Sequence, residues 1–176
     1  GEAASALEAG VLRRLAAAGG AHPVPLVVGY AETATALGHC VADALGAPHL
    51  HSTRRAVAGV RPLAAFSEEH SHATDHRLLP TDPEVLAALA DPRRPLVLVD
   101  DELSTGRTVA GTVRALHALA RRERYVVAGL LDLRGGADRD ALAALAGELR
   151  TRIDVVALAA GTVALPPDVL AAVRAH

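Results

Sequence analysis

Asp100 and Asp101 stand side by side at the end of the aliphatic run Leu96 to Val99, with Glu102 next in the chain. Such a group of carboxylates repels itself unless a cation or a sugar uses it, and paired carboxylates suit hydrogen bonds from vicinal hydroxyls. Immediately downstream, Ser104, Thr105, Gly106, Arg107 and Thr108 offer hydroxyls, a cation and backbone N–H groups on which a phosphate can sit. Gly106 lets the backbone approach closely, and a helix starting there adds unpaired N–H groups and a favourable dipole. The combined chemistry is that of holding a ribose by its hydroxyls and its 5′-phosphate with one loop. The same residues also read as a buried strand that ends in solvated acids before a capped helix, since Ser and Thr are ordinary caps. The register of aliphatic, acidic and Thr-Gly-x-Thr parts favours the sugar-phosphate reading.

The elements that must position these residues follow from periodicity. An aliphatic run such as Leu96 to Val99 is what a strand covered on both faces requires, so it should be central in a parallel sheet. VAGTVRALHALARR after it has a helical pattern. Upstream, Ala4 to Gly19 reads as an amphipathic helix, Pro23 to Gly29 as a strand, Thr33 to Leu45 as a helix and Pro48 to Thr53 as a second strand. Val60 to Phe66 is a candidate third strand, Ser67 to Pro83 reads as irregular, and Glu84 to Ala90 as a short helix. Downstream come a strand at Tyr125 to Leu131, a helix at Arg139 to Leu149, a strand at Ile153 to Leu158 and a last helix at Asp168 to Ala175. Strands alternating with helices predict an α/β doubly wound, mainly parallel sheet flanked by helices. Ligands of such sheets bind beyond the carboxyl ends of the strands at a switch point.

The Leu96 to Thr108 segment resembles the signature loop of type I phosphoribosyltransferases, which bind phosphoribosyl pyrophosphate (PRPP). The order GYAETATALGH, FSEEHSHATDH, VLVDDELSTGRT, LLDLR and IDVVALAAGTVALP spans nearly the whole chain. It resembles the orotate phosphoribosyltransferase-like proteins of bacterial tellurite-resistance-type stress operons. The resemblance implies the type I fold and PRPP with a small-molecule acceptor as ligands. Asp100 and Asp101 would then grip the 3′- and 2′-hydroxyls, and Ser104, Thr105, Gly106, Arg107 and Thr108 the 5′-phosphate. Tyr30, Ala31, Glu32 and Thr33 match the first pyrophosphate loop, and Arg54 and Arg55 match the family's basic residues, although two solvated arginines are the plain alternative. Mg²⁺ is the implied cofactor, held through Glu32, Asp100 and Asp101. Glu32 is equally a helix-start carboxylate favoured by the dipole.

Phe66 to His76 packs Glu68, Glu69, His70, His72, Asp75 and His76 into one polar stretch. In the resembled family this region is often a loop that closes over PRPP, and Glu69, His70, His72 and His76 are the lid candidates. A metal site and a solvated loop are the alternatives, because the HxHxxxH spacing matches no specific metal signature. With no Lys in the chain, its histidines and Arg77 are the donors such a lid could offer. Asp132 and Arg134 fall at the end of the next strand, where they read either as acceptor-binding residues or as a surface ion pair.

Composition sets the limits. At 176 residues, 51% hydrophobic and 22% charged, the chain fits one phosphoribosyltransferase-like domain over 1–176. A net charge of -2 argues against nucleic acid as a partner. No apolar run approaches a membrane span. The single cysteine, Cys40, excludes an intrachain disulfide, and a cytoplasmic location fits best. A chain that begins at Gly1 and has no Met predicts a natural start further upstream. A homodimer is compatible with all of this. Only Tyr30, Phe66 and Tyr125 are available as Tyr or Phe rings, so no strong purine-stacking platform is evident. A catalytic phosphoribosyltransferase is the first reading, a non-catalytic PRPP or nucleotide sensor the second and an RNA-binding attenuator the third, which the acidic balance opposes.

Overall fold

The computed structural model of the protein describes residues 2–16, 23–68 and 74–164. In chain order they form α1 (Glu2–Ala16), β1 (Leu26–Gly29), α2 (Thr35–Leu45), β2 (His49–His51), β3 (Ala64–Glu68) and β4 (Thr74–Leu78). Then come α3 (Pro83–Ala90), β5 (Leu96–Leu103), α4 (Arg107–Leu119), β6 (Arg124–Asp132), α5 (Gly136–Leu149) and β7 (Arg152–Ala160). Five strands make a parallel sheet in the order β2-β1-β5-β6-β7, the mainly parallel α/β arrangement expected from the sequence. Among the described residues no helix is long and apolar enough to cross a membrane. The Asp168 to Ala175 helix and three lid candidates, Glu69, His70 and His72, lie outside the described residues.

The central strands are aliphatic because both of their faces are covered. Side chains alternate across the sheet with period two. Leu26, Val28, Leu96, Leu98, Tyr125 and Val127 enter one core together with residues of α3, α4 and α5. Val27, Val97, Val99, Val126 and Ala128 enter the other, where Leu7, Val11 and Leu15 of α1 and Val41 of α2 meet them. Register places Val97 between Val27 and Val126, so the three central strands contribute matching layers.

Arg122 fastens α3 to α4. Its guanidinium is buried and donates to the carbonyls of Leu116 and Ala120 at the end of α4 and of Ala88 and Leu89 at the end of α3. A cation there satisfies orphan acceptors and opposes the helix dipoles.

Two expectations need correction. The strand foreseen at Val60 to Phe66 begins at Ala64, and the stretch Ser67 to Pro83, expected to be irregular, contains β4. The reason is antiparallel pairing of β3 with β4, which sets Ala64 opposite Leu78 and Phe66 opposite His76. All four side chains are buried, so a period-two apolar face holds both strands despite their polar neighbours.

From β1 the chain reaches β2 on one side and later β5 on the other, so strand order reverses between β1 and β5. A crevice at the carboxyl ends of those two strands is therefore the expected ligand position.

Candidate active site

A cleft of about 270 Å³ opens at that switch point, lined by the carboxyl ends of β1 and β5 and the loops that follow them. From the β5 side come Asp100, Asp101, Ser104, Thr105, Gly106 and Thr108. Tyr30, Ala31 and Thr33 come from beyond β1, and Arg54 and His76 complete the wall.

The carboxylates are held in place. Leu96 to Val99 are fully buried, whereas Asp100 and Asp101 are half-buried where β5 leaves the core. The Asp101 N–H donates to Asp100 Oδ1 at 3.1 Å, and the Thr33 hydroxyl donates to Asp101 Oδ1 at 2.9 Å. Thr33 thus joins the loop after β1 to the acids at the end of β5.

Gly106 caps α4 with a φ of 77°, the left-handed region in which an L side chain is strained. A Cβ there would also meet Arg134 Cδ at 3.1 Å. The first intrahelical bond runs from Ala110 N–H to the Gly106 carbonyl, so the preceding N–H groups at the helix start have no intrahelical acceptor. The Arg107 N–H turns back to Thr105 Oγ1 at 3.4 Å, and the helix start as a whole presents its positive dipole end to an anion.

On the β1 side the Tyr30 N–H still donates to the Val99 carbonyl at 3.0 Å, which ties the first loop residue to β5. Ser52, fully buried just beyond β2, accepts from the Ala31 N–H at 2.9 Å and contacts His76 Nδ1 at 2.9 Å. A backbone pair between Thr53 and Arg77 brings β4 alongside, and Arg77 Nη1 donates to the Arg54 carbonyl at 3.1 Å. His76 is only 1% exposed and stacks on Phe66 with ring centroids 5.2 Å apart. Its side chain belongs to the packed wall of the cleft, contrary to the expectation of a mobile lid residue, because β-pairing and Ser52 fix it. Tyr30 stands edge-on to both rings. Burial, assisted by the Asp100 charge and partly offset by Thr112, pushes its phenol well above the usual range.

A sequence model described as Phosphoribosyl transferase matches residues 2–162. The chain belongs to that family. As a phosphoribosyltransferase it shares its fold with solved adenine phosphoribosyltransferases at low identity. The enzyme from Giardia lamblia, solved with 9-deazaadenine, is 18% identical with a TM-score of 0.62 over 91% of this chain and 80% of that one. The Trypanosoma brucei enzyme, in complex with AMP, pyrophosphate and ribose-5-phosphate, is 14% identical with a TM-score of 0.59 over 97% and 76%. For Rhodothermus marinus the values are 19%, 0.56, 90% and 77%. Among curated proteins, none matches the sequence.

Other sequence-derived candidates of this phosphoribosyltransferase lie outside the cleft lining. Glu32, Arg55 and Arg107 are exposed and are not part of the wall. Asp132 and Arg134, weighed as acceptor readers or a surface ion pair, form a buried bidentate pair. Arg134 Nε and Nη2 each donate to Asp132 at 2.9 Å. The Arg134 bonds, outweighing burial, hold the Asp132 carboxyl below the usual carboxylate range. The pair packs behind Gly106 and does not line the cleft. Ser52 was missed. Its only sequence signal is its place one residue after a short strand, and its partners are 21 and 24 residues away.

Proposed function

We propose that the protein transfers the ribose 5-phosphate group of PRPP to a nucleobase-like acceptor and releases pyrophosphate, in one domain spanning 1–176. The observation that carries this reading is the convergence on one cleft of two carboxylates, a glycine-started helix N-terminus, the Thr33 loop and Arg54. Family membership favours turnover over the sensor alternative.

Asp100 and Asp101 accept hydrogen bonds from the ribose hydroxyls, and the loop from Ser104 to Thr108 receives the 5′-phosphate. The loop carrying Ala31 and Thr33, with Arg54, faces the diphosphate. The bond from C1 to the diphosphate oxygen breaks and its electron pair leaves with pyrophosphate. An acceptor nitrogen forms the new bond to C1 and gives its proton to solvent. Fixed donors on the leaving diphosphate lower the barrier because they need no reorganisation as charge develops. The hard oxygen donors of Asp100 and Asp101 suit Mg²⁺, which would neutralise diphosphate charge when bound. Glu32, outside the cleft wall, is the weaker ligand candidate.

Tyr30, Phe66 and Tyr125 are all buried, which supports an acceptor recognised by polar edges more than by stacking on an exposed ring. The resemblance to orotate phosphoribosyltransferase-like proteins of stress operons, and the cytoplasmic setting this suggests, belong to the same proposal. Pyrophosphate release from PRPP and Mg²⁺ against a panel of bases, including adenine and orotate, tests it.

A further inference from the structure

A second group of chemistry-bearing side chains lies at the sheet edge and shares no residue with the cleft wall. His49 and His51 are two apart on β2, the edge strand, so they project from the same face. α2 packs across β1 and β2 and brings His39 to them. One ligand atom from each of the three imidazoles falls within 4.8 Å of the others. The rings crowd together, with His39 and His49 centroids 3.9 Å apart and His49 and His51 6.0 Å apart.

We propose that His39, His49 and His51 form a binding site for a borderline-soft divalent cation of the zinc class. Three imidazoles with no carboxylate or thiolate among them match that class better than Mg²⁺ or Ca²⁺, which take oxygen ligands. Zinc–nitrogen bonds of about 2.0–2.1 Å require the ligand atoms to draw together somewhat, which small side-chain rotations supply for the exposed His39 and His51. His49 is the fixed member. Gly38 and Gly29 pack so tightly beneath it that a Cβ at Gly38 would come within 2.8 Å of His49 Nε2. That nitrogen is enclosed, so the ring is held in place by packing on the two glycines.

Three protein ligands leave a position open, and the cluster borders a cavity lined also by Leu79, Pro80 and Thr81, with room for water there. Asp43, one helical turn beyond His39, interacts electrostatically with His49 and can steady the imidazoles from outside the ligand set. A cation here would link α2, which follows the Thr33 loop, to β2, which leads into Ser52 and Arg54.

The test is titration of the purified protein with Zn²⁺ alone, in excess Mg²⁺ to occupy oxygen sites, together with visible absorption of the Co²⁺-substituted protein. We expect tight binding of a single Zn²⁺ per chain, a thermal upshift on its addition and a Co²⁺ spectrum of low coordination number. The separate exposed-site variants His39→Ala and His51→Ala should each weaken binding at least about tenfold, since loss of even an outer-shell partner of a ligand typically costs that much. A His70→Ala/His72→Ala double variant should bind as wild type does. Affinity unchanged in both single variants, or lost only in the double variant, would overturn the assignment. So would a wild-type protein that binds Zn²⁺ no more tightly than free imidazole does.

Discussion

Thr33 and Asp101 meet across the cleft, the hydroxyl donating to the carboxylate at 2.9 Å, although 68 positions separate them in the chain. This bond joins the loop proposed for the diphosphate to the acid proposed for the ribose, so neither residue should act alone. A hydrogen bond to a charged group contributes about 1.5–3 kcal/mol, so Asp101→Ala should lower kcat/KM for PRPP by roughly tenfold to a few hundredfold. Thr33→Val should reproduce a smaller part of that loss. Steady-state kinetics and calorimetry with PRPP check it, and an unchanged affinity in Asp101→Ala would remove the ribose grip.

Gly106 is the pivot of the phosphate loop. Its left-handed φ and the nearby Arg134 side chain predict that Gly106→Ala costs about 1–2 kcal/mol of backbone strain and displaces the loop. Ribose 5-phosphate affinity should fall about tenfold, while pyrophosphate affinity, which depends on the other side of the cleft, should barely change. Equal losses for both ligands would mean that the loop is not specific to the 5′-phosphate.

Asp132 and Arg134 predict a pH signature. The Asp132 carboxyl is held below its unfolded pKa, so its contribution to stability is present above that value and disappears as pH falls through the lower folded pKa. Asp132→Asn leaves Arg134 without its charged partner and should cost roughly 3 kcal/mol at neutral pH. Urea unfolding of both proteins should converge at strongly acid pH. A constant difference at all pH values would contradict the sign.

Ser52 should matter more than a small hydroxyl usually does. Its side chain engages both the Ala31 N–H and His76 in a buried setting, and Ser52→Ala removes both contacts. The expected loss is about 1–3 kcal/mol of stability, with weaker pyrophosphate binding as the Ala31 loop loosens. Thermal unfolding together with pyrophosphate titration separates the two effects.

The parallel sheet was legible because local sequence and tertiary role agree. Leu96 to Val99 reads as a strand covered on both faces, and the acids, the glycine and the helix pattern follow within a single segment. His76 was harder to place. Its polar neighbours obscure the alternation of Ala64, Phe66, His76 and Leu78, and the residue that anchors it, Ser52, lies 24 positions away. The histidine cluster was illegible for a related reason, since His39 meets His49 and His51 only after α2 has packed against the sheet edge. Asp132 and Arg134 were placed at a strand end correctly, but that they face each other in a buried pair depends on packing behind Gly106.

Turnover depends on the diphosphate side of the cleft, where Arg54 is part of the wall and Arg55 and Glu32 are not. Pyrophosphate release from PRPP and Mg²⁺, measured across a panel of nucleobase-like acceptors for the wild type, Arg54→Ala and Arg55→Ala, is the most direct test. The wild type should release pyrophosphate with at least one acceptor, Arg54→Ala should lose roughly tenfold or more, and Arg55→Ala should keep near wild-type rates. Ribose 5-phosphate affinity should stay unchanged in both variants. A wild-type protein that binds PRPP yet releases no pyrophosphate with any acceptor would contradict turnover and favour a sensor on the same fold.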